Sequence, residues 1–288
     1  MASILGTGNA TLDIILSMDE YPAEDAEIRA LDRRMCRGGN TANTLVVLSM
    51  LGHRCVWAGI LSDDTGGFFI RDDLMSHQVE LHPGRTVRNG VVPTSYVMLN
   101  RRNGSRTIVH YRNLPEFTIQ DFERVDPEKY DWLHFEGRNI EETRRMLSRV
   151  RCHNPHIPVS LEIEKNRPGI SGLFTYADVL LFSRQYAVEQ GFREPLDFLR
   201  SVKAECAAAD LYCTWSGEGA AALTRGGEAC RVPAWSPQKV VDTLGAGDTF
   251  NAAVIHGYLK NQDIGTILRA ASELAGRKCG QQGFDGLT

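Results

Sequence analysis

The stretch Asp242-Thr-Leu-Gly-Ala-Gly-Asp248-Thr-Phe-Asn-Ala-Ala-Val-Ile-His-Gly-Tyr-Leu259 decides how this chain is read. Gly245 and Gly247 carry no Cβ, so backbone N–H groups beside them can come close to a ligand. The run from Ala246 to Tyr258 reads as a buried helix. Its first N–H groups have no partner within the helix, and the helix dipole adds partial positive charge there. A loop of this kind binds anions, phosphate most naturally. Asp248 is the odd member, because a carboxylate is a poor phosphate ligand. An acid in that place suits a base that takes a proton from a nearby hydroxyl, and an anion hole plus a base is the minimum for phosphoryl transfer to an alcohol. The bland alternative is that Asp248 only caps the helix.

A second Gly-rich element lies near the N-terminus. Arg37-Gly38-Gly39-Asn40-Thr41-Ala42-Asn43 precedes an apolar helix expected over Thr44 to Leu51. The amides of Asn40 and Asn43 each offer a donor and an acceptor, which matches a sugar hydroxyl. Asp13 sits between large apolar residues in Thr11-Leu12-Asp13-Ile14-Ile15, where a carboxylate is costly without a partner.

Elsewhere strands and helices alternate. Ile4–Gly8, Arg54–Leu61, Trp132–Glu136, Pro158–Ile163, Val179–Phe182 and Leu211–Thr214 read as strands. Asp64–His77, Ile140–Val150 and Ile264–Lys278 read as helices, the first with Phe68, Phe69, Leu74 and Met75 as its apolar residues. This alternation predicts an α/β fold with a parallel sheet and helices on both faces. Leu12–Arg34 and Thr94–Tyr111 break the rhythm with alternating apolar and polar residues, as antiparallel strands do. They are read as a small β lid, spanning about residues 10–36 and 90–113, inserted in one domain that covers residues 1–288. Trp57, Trp132, Trp215 and Trp235 are expected in the core, and Arg144, Arg145, Arg149 and Arg151 on a solvated helix face.

Composition narrows the class. The 288 residues carry a net charge of −4 without a dense basic block, which argues against a general nucleic-acid binder. Seven cysteines, an odd number with no Cys-x-x-Cys pair, fit reduced thiols in the cytoplasm. No apolar run is long enough to span a bilayer, and the N-terminus reads as a first strand rather than a leader. Gly6-Thr7-Gly8 starts like a dinucleotide fingerprint, but Thr11 stands where the third glycine belongs. The P-loop and protein-kinase signatures are absent. His153 and His156 flank a proline and read as a surface turn.

Taken together, the GGN and DTLGAGD motifs resemble the two signature regions of the ribokinase-like, PfkB-type carbohydrate kinases, in the right order across nearly the whole chain. The runs HFEGRN and QQGFDG resemble the branch of that family that phosphorylates fructose at its first carbon. The resemblance implies a three-layer α/β/α fold with a mostly parallel central sheet and a β-sheet lid. It implies ATP with Mg2+, and in many relatives a monovalent cation such as K+ near Asp242. Asp248 would be the base, with Gly245, Ala246 and Gly247 as the anion hole. Asp13, Gly39, Asn40 and Asn43 would hold the sugar. Arg106 would sit on the phosphate side at the lid hinge, and Gly217, Glu218, Gly219, Ser272 and Cys279 near the nucleotide. The lid would also make a homodimer, with Asp25 of one subunit reaching the sugar site of the other. Two departures stand out. The Asn and Glu that organise Mg2+ waters in many relatives have no counterpart in Leu181–Tyr186, so no protein ligand for Mg2+ is named. The nucleotide turn Thr214–Gly219 has Ser216 in place of its first glycine. Other acceptors within the family (the fructose 6-hydroxyl, ribose, a nucleoside) stay open, as does a non-catalytic sensor on the same scaffold.

Overall fold

The computed structural model describes residues 1–82 and 85–288. Its centre is a nine-stranded sheet. From one edge the order is Ala229–Val232, Ala220–Leu223, Asp210–Thr214, Val179–Phe182, Val159–Ile163, Trp132–Glu136, Ser3–Thr7, Arg54–Ala58 and Val79–Leu81. From Asp210–Thr214 onward every ladder is parallel. The two strands at the other edge are antiparallel. Strands covered on both faces read as continuous apolar runs, and every residue of Val159–Ile163 and of Val179–Phe182 is buried.

Two apolar clusters cover the two faces of the sheet. One gathers residues of the helices Asn40–Met50, Thr65–Ser76, Ala246–Leu259 and Ile264–Cys279. The other gathers Met146, Leu147 and Val150 of the helix Ile140–His153 with Phe198 and Leu199 of Pro195–Val202. The result is the three-layer arrangement expected from the strand–helix alternation. Some helix ends are fixed by side-chain caps: Asp64 accepts from the N–H of Gly67 at 2.8 Å, and Asp263 from that of Thr266 at 3.0 Å. The helix Ala246–Leu259 is different. It starts at Gly245, which has φ 80° and contributes no capping side chain.

The lid is a separate four-stranded sheet, in the order Asp32–Gly38, Thr11–Met18, Thr94–Asn100, Arg106–Tyr111. Its outer ladders are antiparallel, as the alternating pattern predicts. Its middle ladder, Thr11–Met18 against Thr94–Asn100, is parallel, a correction to the purely antiparallel reading. Alternation reports a half-buried strand whatever direction its neighbour runs, and these two strands are joined by a long excursion through the central sheet. The lid strand Arg106–Tyr111 is exposed along its whole length, with Ile108, Val109 and Tyr111 each at least half exposed.

Smaller corrections follow the same logic. In the helix Thr65–Ser76 the core residues are Ile70 and Leu74, whereas Phe68 and Met75 face outward. Trp57, Trp132 and Trp215 are buried, but Trp235 is 43% exposed because it lies in a loop along the edge of a cleft. Arg151 is only partly solvated. It donates to the carbonyl of Tyr176 at 2.7 Å and to Asp178 at 2.6 Å, tying its helix end to the strand Val179–Phe182. Among the described residues all seven cysteines are free, and no helix is long and apolar enough to cross a membrane.

Candidate active site

A cavity of about 980 Å3 runs along the carboxyl ends of the parallel strands and under the lid. Open α/β sheets bind ligands at this edge. The two Gly-rich elements meet there. Gly39, with φ 102°, starts the helix Asn40–Met50, and a Cβ at that position would fall 2.2 Å from the carbonyl oxygen of Asn9. Gly245 starts the other helix, and a Cβ there would fall 2.4 Å from the ring of Phe284. Both helices therefore begin on glycines that no side chain can replace without displacing a neighbour. The helix Asn40–Met50 starts earlier than the sequence pattern suggests, so Asn40 and Asn43 lie in its first turn.

Asp248 is in the first turn of its helix but makes no capping hydrogen bond, which removes the capping alternative. It is 7% exposed. Asn43 Nδ2 donates to Asp248 Oδ2 at 2.6 Å, across 205 positions of sequence. Burial pushes the Asp248 carboxyl up to about 7, against the pull of the Asn43 hydrogen bond and with a further push from Glu164 and Glu136. A carboxyl held there exchanges a proton near neutrality, which a base for an alcohol needs.

Those glutamates escape a reading of the sequence. Glu136 ends the strand Trp132–Glu136, Glu162 is near the end of Val159–Ile163, and Glu164 follows it. Asn40 Nδ2 lies between two of them, donating to Glu162 Oε1 at 3.1 Å and Glu164 Oε2 at 3.3 Å. Glu136 accepts the backbone N–H of Asn9 at 3.0 Å. Glu162 Oε2 is buried without a partner. Burial first, then the charge of Asp248 and the other glutamates, holds the Glu162 carboxyl well above its ordinary value. Within a strand each acid looked like one polar residue in an apolar run. Only parallel register brings strand ends that are distant in sequence to one edge.

The anion loop is anchored from below. Lys278, fully buried, donates to the carbonyl oxygen of Asp242 at 3.0 Å and lies 3.4 Å from its carboxylate. Arg34, on a lid strand, reaches the same carboxylate at 3.2 Å. The two cations hold the Asp242 carboxyl below its usual range despite burial. The Lys278 ammonium also lies 5.5 Å from the ring centre of Phe284, the side chain that packs on Gly245. The lid, the loop and the last helix are thus tied at Asp242.

The remaining sequence-derived residues divide into those in the cleft and those outside it. Asp13 lines the cleft. Thr11 Oγ1 donates to it at 3.1 Å, and burial raises its carboxyl. Ala246, Gly247, Gly217, Gly219, Ser272, Cys279 and Arg106 line the cleft as well. Ser272 donates its hydroxyl to the carbonyl of Pro233 at 2.9 Å. Glu218 is not itself a lining residue, but it lies beside the cleft, 3.6 Å from the guanidinium of Arg184, which lines it. Asp25 is exposed in a turn with φ 63° and lies outside the cleft of its own chain. Among the described residues, no group of three or more acidic, histidine or cysteine side chains is arranged to hold a metal ion.

A family description, "pfkB family carbohydrate kinase", matches residues 1–286. The chain belongs to the pfkB family of carbohydrate kinases. It is 41% identical to "Ketohexokinase" from Mus musculus over 99% of this chain and 98% of that protein. It is 26% identical to "Ribokinase" from Bacillus subtilis (strain 168) over 96% of this chain and 92% of that protein. Among solved structures it resembles a putative ribokinase from Agrobacterium tumefaciens, with TM-score 0.86 and 20% identity over 98% of this chain and 92% of that one. Arabidopsis thaliana ribokinase complexed with ribose and ATP superimposes with TM-score 0.80 and 21% identity, covering 98% of this chain and 94% of that one. The fold is therefore ribokinase-like, and the protein is a ketohexokinase-like carbohydrate kinase.

Proposed function

We propose that this chain transfers the γ-phosphoryl group of ATP to the first hydroxyl of D-fructose, giving fructose 1-phosphate and ADP. One observation carries the chemistry. Asp248 lies buried on the first turn of an uncapped helix, yet spends none of its hydrogen-bonding capacity on that helix. The mouse relative's name supports a ketohexose as the acceptor.

In this reading the sugar lies against Asp13, Gly39, Asn40 and Asn43, with its primary hydroxyl toward Asp248. ATP extends along the cleft past Gly217, Gly219, Ser272 and Cys279. Asp248 takes the hydroxyl proton as that oxygen attacks the γ-phosphorus. The bond between that phosphorus and the bridging oxygen breaks, and ADP leaves with the electron pair. Charge on the transferring oxygens meets the N–H groups after Gly245, that of Gly247 and that of Ala246, which the Thr243 carbonyl holds at 3.3 Å until the phosphoryl group arrives, with Arg106 approaching from the lid. Those donors need little reorganisation, because Gly245 and Asp242 already fix the loop. Closure of the lid excludes water that would otherwise take the phosphoryl group. Arg34 links lid and loop, so closing over the sugar and shaping the anion hole are one movement.

Mg2+ enters as part of the nucleotide substrate, where it neutralises phosphate charge; no protein ligand is assigned to it. No role is assigned to a monovalent ion such as K+; the Asp242 carbonyl already accepts from Lys278, and one of its carboxylate oxygens is shared by Lys278 and Arg34. No step is routed through such an ion. The reading also includes a homodimer formed through the lid, supported by the exposed apolar residues of Arg106–Tyr111.

A coupled ADP-release assay over fructose, ribose, glucose and adenosine tests the proposal. Fructose should give the highest kcat/KM. A preference for ribose or adenosine would reject the acceptor and keep the transfer chemistry. No ADP release with any acceptor would leave a binding protein on a kinase scaffold.

A further inference from the structure

Arg37 immediately precedes the GGN motif and lines the cleft beside Asn43. Its side chain is 2% exposed, a costly place for a cation that has no task. The guanidinium is shared between two partners. Its Nε donates to Asp73 Oδ2 at 2.5 Å, and its Nη1 donates to Asn43 Oδ1 at 2.5 Å. The second bond fixes which way the Asn43 amide faces. With its oxygen on Arg37, Asn43 can only present its NH2 group to Asp248, and it does so at 2.6 Å. A free amide could rotate and put its oxygen against the carboxylate, which would repel the ionised form. The chain of contacts continues outward: Asp73 lies 3.6 Å from His77, and His77 lies 3.1 Å from Asp285 in the C-terminal GFDG run. Phe284 packs 5.9 Å from the Arg37 guanidinium.

We infer that Arg37 is a positioning residue for the proton transfer: through Asn43 it holds the Asp248 carboxylate oriented and ionised for the incoming hydroxyl. This rests on the reading of Asp248 as the base. Around Asp248 the acidic neighbours Glu136, Glu162 and Glu164 oppose ionisation. Arg37 is a cation that favours it. The planar fork matters as much as the charge, since one donor must hold Asp73 while another holds Asn43.

Two variants separate fork from charge. Arg37→Lys keeps the charge and loses the fork. Arg37→Gln loses both. Each is first checked for folding by thermal melting. With fructose and ATP, both should lower kcat about tenfold, since misplacing a reacting group by a fraction of an ångström costs on that order, and KM for ATP should stay unchanged. In Arg37→Gln the acid limb of the kcat/KM profile should also move to higher pH by about half a unit. In Arg37→Lys that limb should move less. A merely structural arginine would lower the melting temperature without moving the limb. Should Arg37→Gln fail to fold, the drop in kcat of Arg37→Lys carries the test. Folded variants with wild-type kcat and an unmoved acid limb overturn the inference. Asp248→Asn, measured alongside, isolates the reading beneath it: full activity there removes the base itself.

Discussion

Asp248→Asn should destroy activity and stabilise the fold, and the second effect can be worked from the structure. In an unfolded chain this carboxyl ionises near 3.8, whereas in the folded protein burial holds it to about 7. Between those values the folded state binds the extra proton, so stability falls as pH rises through the window. Above about 7 the full cost of burying the charge is present, and near 4 it is gone. The gap corresponds to roughly 4 kcal/mol. Glu162 competes for the same proton, which makes the net cost smaller than that. Asparagine has nearly the same shape, can still accept from Asn43, and carries no charge. For a chain of this size each kcal/mol relieved is a rise of about 2 °C in melting temperature, so the variant should melt several degrees higher. Scanning calorimetry or fluorescence melts of both proteins at about pH 8.5 and about pH 5 would show it, with the gain clearly smaller at the lower pH. Turnover of the variant should fall by ~10²–10⁴. A variant less stable than wild type at the higher pH, or a gain that does not change with pH, would refute the reasoning about the buried carboxyl. The same carboxyl predicts that wild-type kcat/KM declines as pH drops below about 7.

Two further outcomes follow from the geometry. Gly245→Ala places a Cβ on a residue with φ 80° and against the Phe284 ring; kcat should fall about a hundredfold from a misplaced loop, with a lower melting temperature, and an alanine variant of wild-type activity would show that the loop geometry is not needed. The lid should make a dimer whose Asp25 enters the partner's sugar site: light scattering should give about twice 32.0 kDa, and Asp25→Ala should raise KM for the sugar more than KM for ATP, whereas a fully active monomer at assay concentration contradicts the arrangement.

Much of the site was legible because its signals are local. Two glycines before an apolar helix announce an anion-binding turn, and Gly39 and Gly245 are the glycines whose conformations start the two helices. The alternating segments announced a lid, and the apolar runs a buried parallel sheet. What stayed hidden depends on register and on pairs distant in sequence. Glu136, Glu162 and Glu164 become a cluster only when neighbouring strands end at one edge. Asp73 looks like an ordinary helix acid until Arg37 reaches it from the lid strand. Lys278, one basic residue in an amphipathic last helix, is buried because Asp242 pairs with it. The parallel ladder of the lid is invisible in alternation, which is the same for either direction. Trp235 is exposed against the core expectation because an apolar side chain on a surface is common and leaves no mark in the pattern.

The central claim is the transfer of a phosphoryl group to one particular hydroxyl, and one spectrum tests it. Fructose labelled with carbon-13 at its first carbon is incubated with ATP, Mg2+ and the enzyme, and the product is observed by phosphorus NMR. The account predicts a phosphorus signal split by coupling to the labelled carbon, which only fructose 1-phosphate gives. An unsplit phosphomonoester signal from fructose 6-phosphate, or no sugar phosphate at all, would contradict it.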